Sequence, residues 1–357
     1  MKRHQFLLTL LSAGTFALAV STNSTAQRND RDRNDEPTPY QTKTFSGNIS
    51  DVKAETSGGS LSVEGGSGKE AKVEMYIRPN NWNGRDNLSK EEIEERLKEY
   101  DITIAQEGST LVATAKRRGN NNDWKRSLSI GFKFYTPRNV ATDLRTSGGS
   151  IRLASLNGNQ RFRTSGGSLH LDDVEGNIKG QTSGGSIHLD RCRKDIDLQT
   201  SGGSIHAKAS SGNLRLHTSG GSIELTDLKG TIDAQTSGGS VRGSDIEGDV
   251  KTGTSGGSIR LANVAGSIDA STSAGGIDVS ITKLGQYVRL NTSAGSIHAD
   301  MPLNKGLDLN LSGNRVEVGT LTNFSGSHEK DRVRGTVNGG GVAVNISASS
   351  GSVYLNR

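Results

Sequence analysis

The sequence predicts an all-β protein, a parallel β-helix or β-solenoid of 18-residue coils with two strands per coil, and three observations predict it. First, Thr-Ser-Gly/Ala-Gly blocks begin at Thr146, Thr164, Thr182, Thr200, Thr218, Thr236, Thr254 and Thr272, each 18 residues after the last. A fixed period of this size marks a stack of like units, none of which can bury its own apolar side chains alone. Second, Ile151, Leu169, Ile187, Ile205, Ile223, Val241, Ile259 and Ile277 form one column, with Leu153, Leu171, Leu189 and Leu225 two residues further on. A period of two places both columns on one face of a strand. A second strand contributes Ile178, Ile196, Leu214, Ile232, Val250 and Ile268. Third, Asp143, Arg161, Lys179, Asp197, Arg215, Asp233, Lys251, Asp269 and Arg289 stand three residues before successive repeat threonines, and from Lys179 onward their sign alternates. In-register coils would set opposite charges side by side, and a slip of one coil would set like charges together.

Taken in order, residues 1–26 read as a signal peptide: Lys2 and Arg3, an apolar stretch from Phe6 to Val20, and a small-residue cleavage site at Ser24-Thr25-Ala26 before Gln27. That stretch is shorter than the roughly 20 residues a spanning helix needs, and no comparable run follows, so no membrane span is expected. Residues 27–39 are densely and oppositely charged with no aliphatic or aromatic side chain, which predicts a solvated linker. Residues 40–142 are expected to form an N-terminal β region, a cap, with an inserted helix and hairpin. Within it Thr56-Ser57-Gly58-Gly59 is an early copy of the repeat block. Ser89 and Glu92 form a capping-box pair before a helix over residues 90–100. Residues 102–105 and 110–115 read as a hairpin, and residues 127–136 as a further strand. Residues 143–357 make the solenoid proper, in which the Ser-Gly-Gly of each block is expected to supply positive backbone angles at a tight corner.

The composition narrows the function classes. The chain of 357 residues carries a formal charge of +5, and without Lys2 and Arg3 it has 41 basic against 38 acidic residues. That balance points away from nucleic acid, which draws a concentrated positive face. One cysteine, Cys192, excludes an internal disulfide. It shares a column with Leu156, Val174, Leu228 and Ile246, which predicts a buried and unreactive thiol.

The repeat threonines continue the inward row (Leu214, Leu216, Thr218), which argues against an outward ice-binding ladder. Their hydroxyls should bond to each other or to turn backbone. The calcium-binding Gly-Gly-x-Gly-x-Asp order is missing, because Ile and Leu stand where Gly and Asp would be needed. His170, His188 and His206 share an outward column that could meet a metal ion, but parallel side chains on a flat ladder rarely converge, so a solvated face is expected. No cofactor and no catalytic group is expected.

The candidate ligand contacts are Trp82 and Trp124 in asparagine-rich loops, with Lys116, Arg117 and Arg118 nearby in sequence. An indole beside amides and cations suits a sugar or an anionic polymer.

The lead-in Tyr135-Thr136-Pro137-Arg138-Asn139-Val140, the Thr-Ser-Gly-Gly-Ser-Ile blocks and the closing Gly339-Gly340-Gly341 and Ser350-Gly351-Ser352-Val353-Tyr354-Leu355 resemble a bacterial family of exported β-repeat domains labelled adhesins. The resemblance covers about residues 40–357 and implies a β-helical, non-enzymatic, extracytoplasmic protein, with no functional residues to carry over. The expected function is therefore a secreted, non-enzymatic β-solenoid, adhesin-like or structural in the cell envelope, with a surface glycan or an envelope protein as partner. The alternative is a polysaccharide-active β-helix lyase or hydrolase, which would need a groove walled by long loops. A scaffold or envelope-stress factor is a third class.

Overall fold

The computed structural model describes residues 38–68, 70–79, 88–119 and 126–357. The expected signal peptide, most of the expected linker, Trp82 and Trp124 lie outside the described residues. Thr38–Arg357 forms one compact unit.

Its first strands are β1 (Gln41–Phe45), β2 (Asp51–Thr56), β3 (Leu61–Gly66) and β4 (Ala71–Pro79), followed by helix α1 (Lys90–Leu97). Ser89 caps α1 through the expected box: its hydroxyl accepts from the Glu92 N–H, and the Glu92 carboxylate accepts from the Ser89 N–H. The helix is shorter than expected. Tyr100 instead opens β5 (Tyr100–Glu107) and is buried, its hydroxyl accepting from the Leu128 N–H at 2.7 Å. β5 pairs antiparallel with β6 (Thr110–Arg117), a longer version of the expected hairpin. β7 (Leu128–Pro137), β8 (Ala141–Thr146) and β9 (Ile151–Asn157) then lead into the array.

From there β10 (Gln160–Arg163), β11 (Leu169–Gln181), β12 (Ile187–Asp190), β13 (Arg193–Thr200), β14 (Ile205–Thr218), β15 (Ile223–Gln235), β16 (Val241–Thr254), β17 (Ile259–Thr272) and β18 (Ile277–Thr292) pair parallel and in register. Ile151, Leu169, Ile187, Ile205, Ile223, Val241, Ile259 and Ile277 are consecutive Cα partners, as the period predicts. Each coil has one face beginning at such an isoleucine, a second ending at the repeat threonine, and two corners between them. The aliphatic columns of both faces and Cys192 belong to one buried core.

The two corners solve different problems. At the threonine corner the second glycine of each block, from Gly149 to Gly275, faces the previous coil so closely that a Cβ would lie 2.0–2.1 Å from that coil's glycine carbonyl oxygen. None of these glycines has a positive φ, which corrects the expectation: close approach, not conformational freedom, requires them. The first glycine has 3.3–3.7 Å of room in Gly148, Gly166 and their successors to Gly256, and the sequence places Ala274 and Ala294 at this position. Threonine joins coil to coil here. Each hydroxyl from Thr146 to Thr292 donates to the preceding coil's glycine carbonyl at 2.7–2.8 Å. From Thr146 to Thr254 it also accepts its own second glycine's N–H at 3.2–3.3 Å.

The positive angles sit at the other corner. Ser155, Asp173, Arg191, Ala209, Asp227, Asp245 and Asn263 have φ of 48–58°, and three residues later Gly158, Gly176, Gly212, Gly230, Gly248 and Gly266 have φ of 118–156°. Lys194 takes the glycine place in one coil at φ 81°, and the two-residue insertion in β18 enters as a bulge between the partners of Val264 and Ile268.

Both ends close by excursions that also leave from this second corner. β2 and β3 are a full rung, paired parallel with β8 and β9 on one side and with β6 and β7 on the other. The repeat-like ladder thus begins before residue 143. Residues 67–140 leave after β3, lay down the outer rung β6–β7 and cover it with antiparallel β5 and β4, on which β1 pairs. The Lys43 ammonium reaches across to the Ile104 carbonyl at 2.9 Å, tying β1 to β5.

At the far end, after β19 (Ile297–Asp300), the chain makes β20 (Leu307–Ser312), β21 (Arg315–Val318), β22 (Phe324–His328) and β23 (Arg332–Val337). It then returns as β24 (Val342–Ala348) and β25 (Ser352–Asn356), which fill the rung between β18–β19 and β20–β21. Antiparallel β23 and β22 complete that end.

Candidate functional site

Parallel, in-register stacking turns every outward position into a column with neighbours about 4.8 Å apart. On the first face, Arg152, His170, His188, His206, Glu224, Arg242 and Arg260 are successive partners. The three imidazoles lie face to face, with ring centroids 5.0 and 4.9 Å apart and planes inclined by 4°. Stacked rings direct their nitrogens side by side rather than at one point, so the column does not form a convergent ligand set. No group of three or more His, Cys, Asp or Glu able to hold a metal ion occurs among the described residues.

Partial burial and the neighbouring His188 and Arg152 hold the His170 pKa below the usual imidazole value, and burial with His206 does the same for His188. The His206 Nδ1 lies 2.8 Å from a Glu224 carboxylate oxygen.

Cys192 is fully buried in its column, its N–H donating to the Ser210 hydroxyl at 3.0 Å, and burial pushes its thiol up to about 12. At any ordinary pH the nucleophilic thiolate is therefore absent.

At the N-terminal end each of the three cations expected to meet a ligand already has a carboxylate. Lys116 lies 2.9 Å from Glu55 and Arg117 lies 2.7 Å from Glu99. Arg118 lies 2.5 Å from Asp101, which raises its pKa. These pairs tie the end of β6 and the residue after it to β2, to the start of β5 and to the residue before it. Lys116 and Arg117 end β6 in the outer rung, and Arg118 follows them.

The second face carries the alternating charges. Lys53, Asp143, Arg161, Lys179, Asp197, Arg215, Asp233, Lys251, Asp269 and Arg289 are consecutive partners through nine steps. One of those steps, Arg161 to Lys179, sets like charges together. Beside it Arg145 and Arg163 are likewise adjacent, followed by the neutral Gln181 and Gln199. These residues line a trough of about 550 Å³. Sequence reading used this column only as a register device; the signal for more was the missing acid at one step, visible once Lys53 is aligned with it.

Residues 189–356 match the family model Toastrack DUF4097, a domain of unknown function. Comparison with curated proteins gives no match. Among solved structures, the chain is similar to one described as a "putative cell adhesion protein" from Clostridium sporogenes, at 10% identity over 89% of this chain and 99% of that one, with a TM-score of 0.17. It is similar also to a "putative lipid binding protein" from Parabacteroides distasonis, at 14% identity over 89% and 96% of the two chains, with a TM-score of 0.30.

Proposed function

We propose that this protein is an exported, non-catalytic binding and structural element of the cell envelope, presenting straight side-chain ladders to a surface glycan or an envelope protein. One observation carries the reading. The polar groups that recur in every coil are turned inward, each buried threonine hydroxyl donating to a glycine carbonyl of the preceding coil and accepting a glycine N–H of its own, while the outward residues run in parallel columns whose side chains do not converge. Such an arrangement suits repeated contacts with an extended partner better than chemistry at one point. The signal-like residues 1–26 support export. No described helix is long and apolar enough to cross a membrane. Trp82 and Trp124, with Lys116, Arg117 and Arg118, belong to this proposal as a second set of contacts.

The test is cell fractionation with mass spectrometry of the mature protein, followed by incubation with envelope polysaccharides. The reading predicts a chain beginning at Gln27 outside the cytoplasm and no polymer cleaved. Retention of residues 1–26 in the cytoplasm would overturn the export, and turnover of any polysaccharide would favour the β-helix enzyme.

A further inference from the structure

The second face follows a rule that it breaks once. Along the column from Lys53 to Arg289 every neighbour has the opposite sign except Arg161 and Lys179. Like charges directly opposite one another on adjacent strands are unfavourable, and alternation at every other step of this column shows that the column can avoid them. The exception is reinforced by the next column, where Arg145 and Arg163 are adjacent on the same rungs as Asp143 and Arg161.

Four cations thus stand on three successive rungs, and their neighbours leave them largely uncompensated. Arg145 is 3.3 Å from Asp143, and Lys179 reaches Asp197 only at 3.9 Å. Arg161 and Arg163 are exposed and form no ion pair with any described residue. Asp143 and Asp197 bound the cationic stretch at either end, and Gln181 and Gln199 continue it as uncharged amides.

We infer that this trough binds an acidic glycan, whose carboxylate or sulfate groups supply the negative charge that the column omits between Arg161 and Lys179. The inference rests on the binding role proposed above and names its ligand class. Guanidinium groups suit planar, bidentate recognition of oxyanions, and Arg161 and Arg163 have their donors uncommitted. The glutamine amides can both donate to and accept from sugar hydroxyls. Acids at both ends confine the positive stretch to about 15 Å along the stack, a few sugar units. That short recess, bounded by negative charge, suits a chain lying along it better than a broad anionic lipid surface.

The experiment uses the mature chain and polygalacturonate, with dextran as the neutral control and phosphatidylglycerol vesicles as the lipid arm, read by titration calorimetry. Arg161→Gln with Arg163→Gln is compared with Arg332→Gln and Arg334→Gln, an exposed pair two residues apart on β23, outside both ladders, with the same change in net charge. The site pair should weaken polygalacturonate binding at least about tenfold, with an unchanged or raised unfolding temperature because a repulsion is removed. The control pair should change binding less than about twofold. Equal losses for both pairs would show attraction to net charge alone and overturn the site. So would binding of vesicles only, or no binding of polygalacturonate by the unaltered protein. An exported protein that binds another partner would leave the general role standing and remove only this inference, whereas a cytoplasmic one would remove the role first.

Discussion

The two corners of each coil turn the chain through the same reversal with opposite tolerances. At the threonine corner, backbone meets backbone: the second position is glycine from Gly149 to Gly275 and again at Gly351, each with a carbonyl of the neighbouring coil where a Cβ would be. The opposite corner relies on left-handed residues, and it accepts Ser155, Asp173, Arg191, Ala209 and Asn263 at the same place. It also accepts a lysine for a glycine, a two-residue bulge and, at both ends, an excursion of dozens of residues. The stack is therefore held along one seam and varied along the other. Loops that could acquire a function enter where the coil-to-coil threonine bonds are not interrupted.

The sharpest way to break this contrast is Gly203→Ala against Gly202→Ala. The added methyl at Gly203 would lie 2.1 Å from the Gly185 carbonyl oxygen, whereas at Gly202 the nearest atom is 3.5 Å away. Chemical denaturation should show a loss above about 3 kcal/mol for the first and within about 0.5 kcal/mol of no change for the second. Equal losses would mean that both positions need glycine for its flexibility.

Next in size is Thr200→Val, which keeps the shape but removes the hydroxyl that donates to the Gly185 carbonyl and accepts from the Gly203 N–H. Two groups of the seam are left without that partner, and a loss of about 2 kcal/mol is expected in the same assay. The tolerant corner should respond in the other direction. Ala209→Asn places a residue suited to φ 48° in a place where Asn263 already sits in another coil, and a gain of about 1 kcal/mol is expected.

The smallest effect concerns pH. His170 and His188 have depressed pKa values, so below the ordinary imidazole value of about 6.5 the unfolded chain takes up protons that the native column refuses. Stability from these two is complete above that pH and declines as pH falls toward their native values. His188→Gln should flatten that part of the curve in thermal melts taken between pH 7.5 and 5.

Much of this fold was legible because a period converts sequence into neighbours. The inward columns, the phase of Thr218, the burial of Cys192 and the opposed charges all follow from the 18-residue spacing alone. The ends were not legible. Nothing local tells β24 to pass between β18 and β20, or Residues 67–140 to leave and return beside β2, because those pairings join segments with no shared period. The glycines of the threonine corner were assigned the wrong reason for the same cause. Sequence shows that a glycine is needed, whereas close approach to Gly185 is a property of two coils together. Of the candidate contacts, Lys116, Arg117 and Arg118 could be singled out as cations close to Trp124 in sequence, but not their partners Glu55, Glu99 and Asp101, which the cap topology brings to them.

The most direct test of parallel, equal coils is a set of distances along one outward column. In a Cys192→Ser background, a change the column already accommodates at Ser210, spin labels are attached to cysteines replacing residues 170 and 224, 152 and 242, or 152 and 278, and measured by pulsed electron resonance. These pairs are three, five and seven rungs apart, so the account predicts separations near ~14, ~24 and ~34 Å, rising linearly with rung number. Distances that fail to rise in equal steps would contradict it.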